Sequence, residues 1–447
     1  MTDLAHLTDA LLSAAKTAGA EAADAIANEG TSLSIETRSG ALEQAERSEG
    51  VEIGLRVLIG QRQACVSASD TSDRTITEMA ERAVAMARLA PEDPYIGLAD
   101  PAQLAADRDA SPLDLIEIAP EPRPADLQDA ALAAEASALS HDGITQVDNT
   151  TAGFSHSAIH LAASNGFSGG YARSGHWIYC VAITGEGTGM ERDHYGESRI
   201  YRGDLPSPDE VGRLAAERTL ARAKPRKPRT GAFPVLYDER VASSLIGHLI
   251  QAANGAAVAR GSSWLTDRLG EQVLPVALTI TEDPHRPRVS GSKPFDAEGL
   301  ATRRRNIVED GILTGWTLDL ATARKLGMDS TAGAARGTSS PPSPSVTNIA
   351  LTQSGQSRDD LMRDMGTGLL VTGLIGSSIN ATTGDYSRGA SGFWVENGEI
   401  VYPVNELTIA GNLHDMLASI RPANDARIWT SRAVPSLLVE GLTVAGE

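Results

Sequence analysis

Apolar side chains recur at helical spacing over residues 3–19 (Leu4, Leu7, Leu11, Leu12, Ala15), which predicts an amphipathic opening helix. The period then changes. Leu33 and Ile35 alternate with polar neighbours, and Val51, Ile53, Leu55, Val57 and Ile59 do so over a longer stretch, as in strands with one buried face. A second helix is expected over 75–90, with Thr75 and Glu78 as a capping box and Pro91 as its stop. The stretch 91–125, rich in Pro, Asp and Ala, reads as an irregular connection, and a helix follows over 126–139. Strand patterns return at Ile159 and Leu161 and from Trp177 to Ile183, among glycine turns. They predict an antiparallel meander closed by a helix near 207–223.

The run Lys224-Pro225-Arg226-Lys227-Pro228-Arg229-Thr230-Gly231 cannot continue a helix and is too polar to bury, so a domain border is expected there. Beyond it come a helix over 239–254 and a region dense in short strands and glycine turns. These include Val276–Thr281, Arg305–Val308 before Asp310-Gly311, and Phe393–Val395 before Asn397-Gly398. The Ser-, Pro-, Gly- and Ala-rich segment 329–345 reads as a long exposed or mobile loop. The fold class expected is α+β. Residues 1–225 form a helix-and-antiparallel-sheet domain, and residues 230–447 a β-rich domain with a few helices.

Composition narrows the partners. At 447 residues the chain is long enough for two cores. Its 39 Lys plus Arg against 58 Asp plus Glu, a net charge of -19, repel phosphate backbones and anionic lipid, so neither nucleic acid nor membrane is an expected partner. No run approaches a membrane span, and Met1-Thr2-Asp3-Leu4 lacks the basic start of a secretory signal, which makes the cytoplasm the expected location. The two cysteines, Cys65 and Cys180, each sit in an apolar strand-like run and read as buried free thiols.

Candidate chemistry is sparse. His248 lies in Ser243-Ser244-Leu245-Ile246-Gly247-His248 on the first helix of the second half, and alone it is more simply a packed histidine than a ligand. A catalytic zinc needs three His, Cys or carboxylate donors around one open position, and nothing nearby in sequence supplies them. His156 and His160 have the i, i+4 spacing of a zinc helix, but their Gly and Ser flanks are strand and turn chemistry. On a strand they stand roughly 13 Å apart at about 3.3 Å per residue, too far to share one ion. Gly185-Glu186-Gly187-Thr188-Gly189 lacks the setting of a phosphate loop, and no Gly-x-Ser-x-Gly elbow precedes a helix pattern.

Ordered segments in the second half carry a resemblance. Gly261-Ser262-Ser263-Trp264-Leu265, Phe295-Asp296-Ala297-Glu298-Gly299, Ala323-Arg324-Lys325-Leu326-Gly327, Gly384-Asp385-Tyr386-Ser387-Arg388-Gly389-Ala390 and Phe393-Trp394-Val395-Glu396-Asn397-Gly398 closely resemble the TldE/PmbA proteins of the TldD/PmbA metalloprotease family. The likeness spans most of residues 230–446 and, more loosely, the N-terminal helix and strands. In that family the TldD-type partner carries a His-Glu-x-x-x-His helix and a distant C-terminal cysteine that hold zinc and the general base. The resemblance sets His248 on the second His, Ser243 on the first His and Ser244 on the Glu, and no cysteine follows Cys180. A serine hydroxyl is a poor zinc donor and no general base.

What the resemblance implies is a non-catalytic subunit without a cofactor of its own, paired with a zinc-bearing TldD-type partner and handling unfolded peptides. Homodimerisation is the alternative assembly. Asp385, Tyr386, Ser387 and Arg388 are candidate peptide-binding residues, because glycines around them let another backbone approach. The competing expectations are a self-sufficient peptidase using a non-zinc mechanism, and a modulator of a gyrase-related protein without enzymatic activity.

Overall fold

The computed structural model describes residues 3–446. The period-2 segments of the first half build six strands: β1 (Ala22–Arg38), β2 (Ala41–Ile59), β3 (Arg62–Ala68), β4 (Ile144–Ala163), β5 (Ser168–Thr184) and β6 (Glu191–Arg199). They form one antiparallel sheet in the order β3-β2-β1-β4-β5-β6. The first hairpin turns at Ser39-Gly40, both at positive φ, which suits the right-handed twist of the long strands it joins.

Alternation divides the faces of this sheet. Ala23, Ala25 and Ala27 of β1 pack with helices α1 (Leu4–Ala18) and α2 (Asp73–Leu89), whereas Leu33 and Ile35 pack with α3 (Pro124–Leu139) and α4 (Pro208–Ala221). The intervening residues Asp24 and Ile26 face the second half of the chain. Helix α2 starts earlier than the expected Thr75–Glu78 box. Ser72 is its cap, accepting from the Thr75 amide at 3.3 Å, while Thr75 bonds back to Asp70 at 2.6 Å.

In the second half, β7 (Gly231–Tyr237), β8 (Gly368–Ile379), β9 (Asp385–Glu396), β10 (Glu399–Asn412) and β11 (Leu437–Ala445) form a sheet that closes on itself. β10 pairs with β9 and also with β11, and β7 joins β8 to β11, so the five strands make a small barrel with no free edge among them. The β9–β10 hairpin turns at Asn397-Gly398, with φ of 55° and 79°, as its sequence predicts. Helix α5 (Glu239–Ala252) follows β7 directly and is capped by Asp238, which accepts from the Arg240 amide at 3.2 Å. Its Leu245, Ile246 and Leu249 join Tyr237, Val371 and Trp394 in the largest core of the protein. A layer of short strands flanks the barrel. One of them covers only Ile280–Glu282, shorter than the expected Val276–Thr281, because Leu278 closes a turn onto the Pro275 carbonyl.

The segment 329–345 is not an exposed loop. Ala332 and Ala334 are buried, and the Arg336 side chain has no solvent exposure. The segment straps the second half onto the N-terminal sheet, with Arg336 paired to Asp24 and Thr338 donating to Glu52 at 3.0 Å. A Cβ on Gly54 would stand 2.2 Å from the Thr338 carbonyl oxygen, so only glycine lets the strap cross β2. Composition hid this, because the Ser, Pro and Gly around Arg336 are signals of looseness while backbone bonds to Asp296 and Ala297 hold the chain down.

Candidate functional site

The apolar stripe of α5 is set into the barrel core, and His248 rides on its edge. The imidazole is half-buried, and its Nε2 is buried without a hydrogen-bond partner. Its ring meets Tyr386 of β9 edge-on, with centroids 5.8 Å apart at 75°. Tyr237 of β7 donates its hydroxyl to that of Tyr386 at 3.4 Å. Arg388, two residues along the same face of β9, donates from Nε to the Gly376 carbonyl at 2.8 Å and contacts the Tyr386 hydroxyl.

These neighbours set the protonation states. Burial, and then the Arg388 charge, push His248 below the usual histidine range, so the ring is neutral at pH 7. Burial lifts both tyrosines above the ordinary phenol range, Tyr237 farthest, so both keep their protons.

The structure brings together only part of the expected set. Tyr386, Arg388 and His248 converge; Asp385 points outward, exposed, where it accepts from Thr383 Oγ1 at 2.6 Å and Asn412 Nδ2 at 3.2 Å. Ser387 shares the outward face of Asp385 by strand alternation. Ser244 lies one turn before His248 on its face of α5, but its hydroxyl donates to the Val241 carbonyl at 2.7 Å. Ser243 sits about 140° around the helix from His248. Tyr237 was not foreseen, since its place beside Tyr386 depends on barrel closure and not on any local motif.

Zinc does not fit these residues. Among the described residues no three His, Cys, Asp or Glu side chains converge on a point that could hold a metal ion. Beside His248 stand a guanidinium, which repels a cation, and hydroxyls already used elsewhere. His156 and His160 both lie on β4, and His160 Nδ1 is spent on Thr8 Oγ1 at 2.9 Å. Both cysteines are free. Cys65 is half-buried rather than fully buried, whereas burial pushes the Cys180 thiol up to about 11. No helix among the described residues is long and apolar enough to cross a membrane.

A helix-covered antiparallel sheet strapped to a closed barrel, with α5 and its His248–Tyr386 contact set at the barrel core, defines an α+β protein of two joined halves. Sequence comparison narrows that class: the chain matches PmbA/TldA metallopeptidase domain 1 over residues 23–87, the central domain over 117–223 and the C-terminal domain over 230–446. It is 40% identical to the metalloprotease PmbA of Escherichia coli O157:H7 over 440 residues, 98% of this chain and 94% of that protein. It is 38% identical to the PmbA homologue of Haemophilus influenzae, covering 93% and 90% of the two chains. The chain therefore belongs to the PmbA/TldD metallopeptidase family.

Solved structures agree with the fold. A Bacteroides thetaiotaomicron protein named as a candidate modulator of DNA gyrase superposes with a TM-score of 0.91 at 26% identity, covering 99% of this chain and 98% of that one. TldE from Thermococcus kodakarensis superposes with a TM-score of 0.85 at 18% identity, covering 98% and 100%.

Proposed function

We propose that this chain is the non-catalytic subunit of a TldD/TldE-like zinc metalloprotease, binding unfolded peptides and presenting them to a TldD-type partner that holds the zinc. The observation that carries this reading is the composition of α5. Where the catalytic subunit needs two ligands and a base, this chain offers Ser243, Ser244 and His248, and His248 faces Arg388. No cofactor of its own follows, and a cytoplasmic location accompanies the reading. A serine nucleophile is disfavoured by geometry, because the Ser244 hydroxyl is bonded to a helix carbonyl and His248 Nε2 receives nothing from it.

The test is to purify the chain alone and co-expressed with a TldD-type protein, then measure zinc content and cleavage of an unstructured peptide. The lone chain is expected to be metal-free and inactive and the pair active. Stoichiometric zinc, or chelator-resistant cleavage, in the lone chain would overturn the proposal.

A further inference from the structure

Two cavities on the side of the N-terminal sheet that faces the barrel half run into one another. One, of about 700 Å³, opens over the middle of β1, β2 and β4; the other, of about 410 Å³, lies between β5, β6 and the loops holding Arg288 and Trp429. Ser155, Ser157 and Arg173 line both, so together they form one continuous groove. Its floor over the larger cavity carries Gly30, Ser32, Ser48 and Gly50. A Cβ added to Gly50 would meet nothing within 4 Å, so the groove has room above the strands for another chain.

The smaller cavity gathers four guanidinium groups in a protein of net charge -19, and three of them are already neutralised. Arg199 pairs with Glu197; Arg427 pairs with Glu197 at 3.5 Å and Glu239 at 2.6 Å; Arg288 pairs with Asp114 at 2.6 Å and Asp204 at 3.1 Å. Arg173 is different. It donates one hydrogen bond, from Nη2 to the Ser292 carbonyl at 2.7 Å, and lies over the Tyr171 ring at 5.0 Å, while its Nε is buried without a hydrogen-bond partner. No carboxylate of the described residues lies within ion-pair distance of it. A half-buried guanidinium is costly to leave without a counter-charge, and its planar fork matches a carboxylate in two parallel hydrogen bonds.

We propose that Arg173 captures the C-terminal carboxylate of an extended peptide whose preceding residues lie along the groove over Gly30 and Gly50. One uncompensated positive charge matches the single charge of a carboxylate, whereas a phosphate group brings close to two. The small floor residues leave the peptide's side chains unselected, as handling of varied unfolded chains requires. This deepens the peptide-handling reading and rests on it, at a place separate from the α5 cluster and independent of zinc.

The experiment measures binding to the full chain, without any partner, by fluorescence polarisation. The probes are an N-terminally labelled, unstructured decapeptide ending in a free carboxylate and the same decapeptide ending in an amide. The acid is expected to bind about tenfold more tightly than the amide, the scale of one charge-assisted bidentate contact. Arg173→Gln should abolish that difference while the protein's melting temperature stays unchanged, and Arg173→Lys should keep part of it. Equal binding of acid and amide by the unmodified protein overturns the assignment and leaves peptide handling standing; so does an acid preference that survives in R173Q. Failure of both peptides to bind overturns the peptide-handling reading itself. Inorganic phosphate is the control competitor, and displacement of both peptide forms by low millimolar phosphate would reassign the site to a general oxyanion.

Discussion

Two of the polar centres buried in this protein are built in opposite ways. At the seam between the halves, Asp24 stands between Arg56 and Arg336. Arg56 donates to it from Nε at 2.7 Å, Arg336 pairs with its other oxygen, and a single Arg336 nitrogen remains buried without a partner. In the barrel, His248, Tyr386, Tyr237 and Arg388 meet through a ring contact, one long hydroxyl bond and the contact of Arg388 with the Tyr386 hydroxyl, with the imidazole Nε2 idle. The first centre is held by charge paired at close range, the pattern expected where polar groups fix two layers against each other. The second has polar groups with little structural duty. A centre so loosely partnered is consistent with the proposed function, which asks no chemistry of it.

The largest test of the contrast is removal of the shared carboxylate at the seam. Asp24→Ala leaves two buried guanidinium groups without their counter-charge, and such uncompensated buried charges cost about 3–5 kcal/mol. Urea unfolding should show that loss, with the strap around Arg336 becoming the first region to exchange its amides. The burial of Asp24 alone would raise its carboxyl, but Arg336 and Arg56 together hold it below the usual carboxylate range. Its contribution is therefore present above the ordinary value of 3.8 and is lost as pH falls through the lower folded value. A loss under 1 kcal/mol would mean that the seam is held by packing of Ile26, Phe167 and Phe295, and the contrast with the barrel would disappear.

The sequence carried some of this and hid the rest, for reasons that differ between the two centres. The buried stretches of the long strands and the four N-terminal helices were legible because period is local: Leu33 and Ile35, or Ile53 to Ile59, announce a buried face without any distant partner. The α5 cluster drew attention only through a resemblance, because nothing in the spacing of Ser243, Ser244 and His248 announces Tyr386 or Arg388 beside them. Tyr237 and the strap were illegible for one shared reason. Each is defined by contacts across more than 100 residues, Tyr237 with Tyr386 and Arg336 with Asp24, and no window of sequence contains both members. Among the four neighbouring candidates on β9, alternation alone already divides Tyr386 and Arg388 from Asp385 and Ser387, a division that motif reading passes over.

A carboxyl next to the seam gives a smaller effect of opposite sign. Burial, with Asp296 and Asp319 close by, holds Glu298 well above the ordinary value of 4.5, even though it accepts from the Leu320 amide at 2.8 Å. A raised carboxyl pKa stabilises the fold fully below the ordinary value, and that contribution is lost as pH rises through the folded value. Glu298→Gln keeps the acceptor and removes the titration. The variant should gain on the unmodified protein as pH rises from the ordinary value of 4.5 towards neutrality, read from thermal melts across that range. Parallel pH profiles for the two proteins would show that Glu298 keeps one charge state throughout, and the seam would then contain no proton to lose.

The smallest effect is expected at His248, and it bears most directly on the barrel. Its Nε2 makes no hydrogen bond, so His248→Leu should change stability at neutral pH by less than about 1 kcal/mol, whereas truncating a paired buried group costs several times more. Because burial and Arg388 depress the imidazole, the fold binds fewer protons here than the unfolded chain does. The unmodified protein therefore loses stability as pH falls below the ordinary histidine value of 6.5, and the leucine variant should lose less over the same interval. Calorimetric melts from about pH 7.5 to pH 5 read both quantities. A loss above about 2 kcal/mol at neutral pH, or an unchanged acid dependence, would mean that His248 is held by a charged or hydrogen-bonded partner in solution. The barrel centre would then be paired as firmly as the seam, and the contrast between the two would disappear.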